Sequence, residues 1–232
     1  MKHPGRPDFS DYVVHFTKGS RPLGRSAAGD RALEKISALS ALERLTKILK
    51  ERNILATQMP WTGKPAVCFT ECTWVSLLDH SKRYSPFGVG FSKAFLFATG
   101  AAPAIYLRPD FLDWQNDHTE PKDPFDDRLW SFVTPFAPDY APKAKKDLPC
   151  WQKFKDSLDF SHEREWRVPH NLTFHCSDVA FVIVNSYEDL ARMPKPIKDG
   201  LGRQKFLIMD IYRQIEKLWP THMLSGGDKG FK

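Results

Sequence analysis

Glu163-Arg164-Glu165-Trp166-Arg167-Val168 is the stretch on which the reading of the fold turns. As a strand it sends alternate side chains to opposite faces. Arg164, Trp166 and Val168 then share one face, and Glu163, Glu165 and Arg167 share the other. Two interpretations stay open. Trp166 and Val168 fill a core while the charges form a solvent-facing ladder, or the carboxylates are held beside an arginine to tune a pKa. Glycoside hydrolysis also pairs carboxylates, but across a cleft and from separate elements. Adjacency on one strand argues against that chemistry.

Working outward, Val179-Ala-Phe-Val-Ile-Val184 is apolar on both faces, which predicts a central strand. Further strands are predicted at Tyr12 to Phe16, Ala66 to Phe69, through Phe91 and Ser92, and from Pro103 to Leu107. Helices are predicted over Ala32 to Arg52, Trp74 to Ser81, Lys93 to Ala98 and Lys205 to Leu218. Thr70 or Thr73 suits the cap of the second. Leu207, Ile211, Ile215 and Leu218 form the apolar stripe of the last. A short helix follows Asn185-Ser186 and ends at Pro194 and Pro196. Strands and helices do not alternate regularly, so an α+β domain with a mixed or split sheet is expected. Residues 1–232 read as one domain, with 110–151 as an insertion or flap and 225–232 as a loose tail.

The 232 residues are 41% hydrophobic and 13% aromatic, enough for a sizeable core, and 18 prolines predict broken elements. The net charge of +6 suits solubility or attraction to a polyanion. Four cysteines in a chain of this length do not make a disulfide scaffold. No signal core or bilayer-spanning run is visible, so a cytoplasmic location and no membrane association are expected. There is no Walker motif, dinucleotide fingerprint or HExxH.

His15-Phe16-Thr17 ends the first strand. His15 is either a hydrogen-bonded core histidine or an imidazole that donates to a sugar hydroxyl, with Thr17 beside it. Asp123, Asp126, Asp127 and Glu163 would be the carboxylates of a metal-dependent nuclease. The Asp residues lie in a Pro-rich segment and read as ordinary solvated loop charge. Cys68, Cys72, His162, His170, His175 and Cys176 lack the paired spacing of structural zinc sites, so no metal is expected. Trp114, Trp130, Trp151 and Phe154 are either core or a base-stacking surface.

Tyr12-Val-Val-His-Phe-Thr17, followed by Leu42-Glu-Arg-Leu-Thr-Lys-Ile-Leu-Lys-Glu-Arg-Asn-Ile-Leu-Ala56, resembles the opening of ADP-ribosyltransferase-like domains. Val67-Cys68-Phe69-Thr70-Glu71 resembles their next strand. Tyr84-Ser-Pro-Phe-Gly-Val-Gly-Phe-Ser-Lys93, Pro103 to Tyr106 and the Glu-x-Glu-Trp-Arg pattern at Glu163 to Arg167 resemble a group associated with abortive phage resistance, the AbiGi-like group, often labelled an antitoxin. The resemblance implies NAD as cofactor. It implies that Glu165 is the catalytic glutamate, that Glu163 orients the acceptor, and that His15 holds a ribose beside Thr17. Phe91 and Ser92 would flank the nicotinamide, and Tyr84 or Tyr106 would stack on it. It further implies ADP-ribosyl transfer or NAD hydrolysis, with nucleic acid or a protein as acceptor. The alternative it leaves is a non-catalytic member that binds a toxin or other protein partner. The chain has no Ser-Thr-Ser motif and no clear arginine on its first strand.

Overall fold

The computed structural model describes residues 9–19, 36, 38–71, 73–109, 111, 129–138 and 159–218. Most of 110–151 lies outside the described residues, with Cys72, Asp123, Asp126, Asp127, Trp114, Trp151, Phe154 and the tail at 225–232.

The strands are β1 (Tyr12–Phe16), β2 (Asn53–Ile54), β3 (Thr57–Gln58), β4 (Pro65–Glu71), β5 (Gly88–Ser92), β6 (Ala102–Pro103), β7 (Ile105–Leu107), β8 (Val133–Pro135), β9 (Glu165–Val168), β10 (Leu172–Thr173), β11 (Val179–Val184) and β12 (Phe206–Ile208). The helices are α1 (Ala41–Glu51), α2 (Trp74–Arg83), α3 (Lys93–Ala98), α4 (Tyr187–Arg192), α5 (Lys195–Leu201) and α6 (Met209–Leu218). This is an α+β arrangement on a mixed sheet. The main sheet runs β12-β11-β5-β1-β4-β9-β6, with β3 added to β4. Among the described residues only β11 and β12 pair in parallel within it. β2 with β10, and β7 with β8, form two small separate pairs.

Cross-strand partners share a face, so register assigns the core. Val13, Val67, Phe69, Val89, Phe91, Val168 and Val182 pack under α1 through Leu45, Ile48 and Leu49. Val14 and Ile183 pack on the other face against Leu77 of α2 and Met209 of α6. Both faces of the sheet are therefore covered.

Local chemistry sets the element ends. α1 starts at Ser40, whose hydroxyl accepts from Glu43 N while the Glu43 carboxylate accepts from Ser40 N. This capping box, worth about 1 kcal/mol, opens α1 at Ala41; the expected start at Ala32 lies outside the described residues. Thr73, rather than Thr70, caps α2, and Thr70 stays in β4. Gly90 is needed where it is because a Cβ there would sit 2.5 Å from the Phe181 ring of β11.

Several expectations need correction. β11 is second from the edge and β1 is central. The predicted strand from Pro103 to Leu107 breaks at Ala104 into β6 and β7, because Ala104 N donates to Glu165 O while Ile105 N turns to Phe132 O. Val133 opens β8, so part of the expected insertion is built onto β7. Pro194 and Pro196 begin α5 instead of merely ending α4, since a first helical turn needs no proline N–H. The predicted last helix splits: Arg203–Lys205 is a 3-10 turn, Phe206–Ile208 pairs with β11 as β12, and α6 follows. Its stripe residues Ile211, Ile215 and Leu218 are exposed.

Glu163 is not on the strand. Ser161–Glu163 is a 3-10 turn, and Arg164 takes a left-handed φ of 44° before β9 begins at Glu165. Glu165 and Arg167 do share a face, but not as a solvent ladder. Both are buried, Arg167 completely.

Candidate ligand site

β1 and β4 pair at only two positions, Val13 with Glu71 and Val14 with Thr70. Toward the C-terminal end of β1 the His15 ring reaches the β4 backbone, with Nδ1 2.9 Å from Cys68 O. A carbonyl only accepts, so Nδ1 carries the proton. Burial pushes the His15 pKa down, the Cys68 bond opposes it, and the Arg44 charge lowers it further. The neutral ring therefore holds a lone pair at Nε2, for which no described residue is a partner. The expectation that His15 donates to a sugar hydroxyl is reversed: the free nitrogen accepts.

His15 lines a pocket of about 250 Å³ with Thr17, Lys18, Arg44, Lys47, Glu51, Asn53 and Thr57, over an apolar floor of Ile48, Ile54 and Val67. Among the described residues Arg44 and Lys47 bring cations to it beside one carboxylate, Glu51, which is already paired with Lys47, while the Lys18 ammonium lies over the Tyr84 ring. The Asn53 Oδ1 is buried without a hydrogen-bond partner among the described residues. Sequence reasoning missed Arg44, Lys47 and Asn53. The spacing of Arg44, Lys47 and Glu51 along one side of α1 was the available signal.

Glu165 lies elsewhere. Val14 is opposite Thr70, and Thr70 is opposite Glu165, so these three share a face. His15 is on the other face, opposite Val89 and in ring contact with Phe69. The Glu165 carboxylate accepts from Arg167 Nη2 at 2.7 Å. Arg167 also donates to Ser131 O at 3.2 Å, Val133 O at 2.9 Å and the Thr134 hydroxyl, which ties β8 to the main sheet. Burial, then the Glu165 charge, holds the Cys68 thiol well above its usual pKa. Burial and the same carboxylate push Tyr106 up to about 12. Glu165 also borders an open cleft of about 800 Å³ with Tyr106, Arg164, Trp166, Glu71 and Lys93.

No family model, curated protein or solved structure matches the chain.

The remaining expected site residues scatter. Thr17 is buried and donates to Ala41 O at 2.8 Å, anchoring the start of α1. Phe91 is fully buried among Phe69, Phe95 and Phe174, so it presents no ring to a ligand. Ser92 accepts from Phe95 N as the cap of α3. Tyr84 stacks on Phe16 with the Lys18 ammonium 4.1 Å from its centroid. Tyr106 donates to Phe160 O at 2.9 Å and is the one expected aromatic beside Glu165. Glu163 is partly buried, with His162 Nε2 4.0 Å away. Among the described residues no group of three or more His, Cys, Asp or Glu is placed to hold a metal, and no helix is long and apolar enough to cross a membrane.

Proposed function

We propose that the chain is a nucleotide-binding domain that holds an NAD-type ligand at the parting of β1 and β4 without cleaving it. One observation carries this reading: the His15 imidazole, fixed by Cys68 O, offers an acceptor in a pocket that Arg44 and Lys47 also line. A ribose hydroxyl and a phosphate are the complementary groups. NAD contains both, and a pocket of about 250 Å³ takes one nucleoside half of it, being smaller than the roughly 300–1,000 Å³ usual for whole ligands. Breaking the nicotinamide–ribose bond needs a carboxylate near the ribose. Glu51, the carboxylate that lines the pocket, is paired with Lys47, and Glu165, which the resemblance implies for that role, is on the opposite face and neutralised by Arg167. The non-catalytic alternative therefore fits better, as a nucleotide sensor acting in phage defence through a protein partner.

Titration calorimetry with NAD and ADP-ribose tests this. Saturable binding that His15→Ala abolishes, with no nicotinamide release, is expected. Release that Glu165→Gln removes from a folded protein would overturn it. That outcome would favour the second reading, ADP-ribosyl transfer, for which the one supporting observation is the open cleft shared by Glu165, Tyr106 and Arg164.

A further inference from the structure

α6 is apolar on two opposite faces. Its inner face carries Met209, fully buried, and Tyr212, which pack with Val14, Leu77 and Ile183. Arg213 fastens the same face, donating to Asn185 Oδ1 at 2.7 Å. At 3.6 residues per turn, Ile211, Ile215 and Leu218 fall on the far side of the helix. They are 39%, 46% and 73% exposed. Apolar side chains exposed singly need no explanation. Three at spacings of four and three make a stripe, the form in which one helix packs on another. The committed inner face keeps α6 from rolling to bury it.

The charges beside the stripe select the partner. Asp210 and Lys217 are seven residues apart, so they lie within about 20° of each other on one flank, one near each end of α6. Asp210 accepts from Arg213, yet its side chain stays 48% exposed, and Lys217 is exposed. We propose that α6 is a self-association surface on which a second copy of this chain seats its own α6 antiparallel. A two-fold axis near the exposed Gln214 sets the Ile211 end of one stripe against the Leu218 end of the other. The same axis brings each Asp210 to Lys217 of the second copy. A parallel pair would set Asp210 against Asp210 and Lys217 against Lys217, with the helix dipoles aligned. A helix of ten residues falls short of the about 20–30 residues a side of a standard complex, so the dimer is weak and reversible.

The test is sedimentation velocity on the full chain from about 10 μM to 1 mM, the range of a weak pair. Wild type should pass reversibly from monomer to dimer as concentration rises. Ile215→Glu and Leu218→Glu should each raise the dissociation constant at least about tenfold. Both sites are exposed, so urea unfolding midpoints at low concentration should stay at the wild-type value. Asp210→Lys and Lys217→Asp should each raise the constant about two- to tenfold. The double variant Asp210→Lys/Lys217→Asp should return it to near wild type, because each flank again meets its opposite. A monomer at every concentration would overturn the proposal, whether residues 219–232 or another protein covers the stripe. A dimer that neither Ile215→Glu nor Leu218→Glu weakens would also overturn it, as would charge reversals that add in the double variant instead of cancelling.

Discussion

Replacing Arg167 by Met should be the most damaging single substitution in the sheet. Arg167 is fully buried and Glu165 nearly so, at 0% and 9% exposed. Removing the guanidinium leaves the Glu165 carboxylate without its 2.7 Å counter-ion. Breaking a buried pair in this way costs about 3–5 kcal/mol. Ser131 O also loses its bond, adding about 1 kcal/mol. Val133 O is spared, because Trp61 Nε1 still donates to it at 2.8 Å. The sum of about 4–6 kcal/mol approaches the whole stability of many domains. Glu165→Gln should cost less, about 1–3 kcal/mol, since Arg167 keeps Ser131 O, Val133 O and the Thr134 hydroxyl. Thus a Glu165→Gln variant made to test turnover must first be shown to be folded. The double variant Glu165→Leu/Arg167→Met buries no charge and should recover most of the loss. Urea unfolding, read as a change in midpoint at constant slope, measures all three. An exposed ladder would be worth only about 0–1 kcal/mol. A cost under about 1 kcal/mol for Arg167→Met would refute the buried pair.

His15 has a folded pKa below its unfolded value, so it adds no pH dependence above about pH 6.5. As pH falls below that, the unfolded chain takes up a proton that the folded one resists, and stability drops. The midpoint difference between wild type and His15→Gln should therefore shift against wild type between pH 7 and pH 5; a constant difference would contradict the buried neutral ring. Cys68, with its thiol pKa raised by burial and by Glu165, should resist iodoacetamide at pH 8 in the native protein and react once unfolded, as peptide mapping would show. Equal native and unfolded rates would contradict the raised thiol pKa. Gly90→Ala should cost about 1–3 kcal/mol, because its Cβ would press on the Phe181 ring at 2.5 Å. Gly90→Ala/Phe181→Leu should recover part of that, and no recovery would exclude the ring as the cause.

How much of this was legible in the sequence depends on whether local chemistry or register decides. β1, α3 and the Ser186 cap of α4 follow from residue types alone, and they form where expected. β12 does not, because Leu207 continues the helical spacing of Ile211 and Ile215 while its backbone pairs with Ile183. The left-handed Arg164 is equally hidden. Arginine carries no turn signal, and its φ of 44° is what removes Glu163 from the face of Glu165.

The candidate site was the hardest to foresee. His15 and Glu165 are each placed on the expected strand, yet β4 lies between those strands and its register decides whether they meet. Val14, not His15, is in the row of Thr70 and Glu165. A slip of one residue between β1 and β4 would have brought the imidazole and the carboxylate to a common face. That slip would also turn Val13 out of the core beneath α1, where it is fully buried. The packing of Val13 and Val14 into the two opposite cores thus fixes the separation of His15 from Glu165. A motif that pairs the two residues in sequence cannot carry that information.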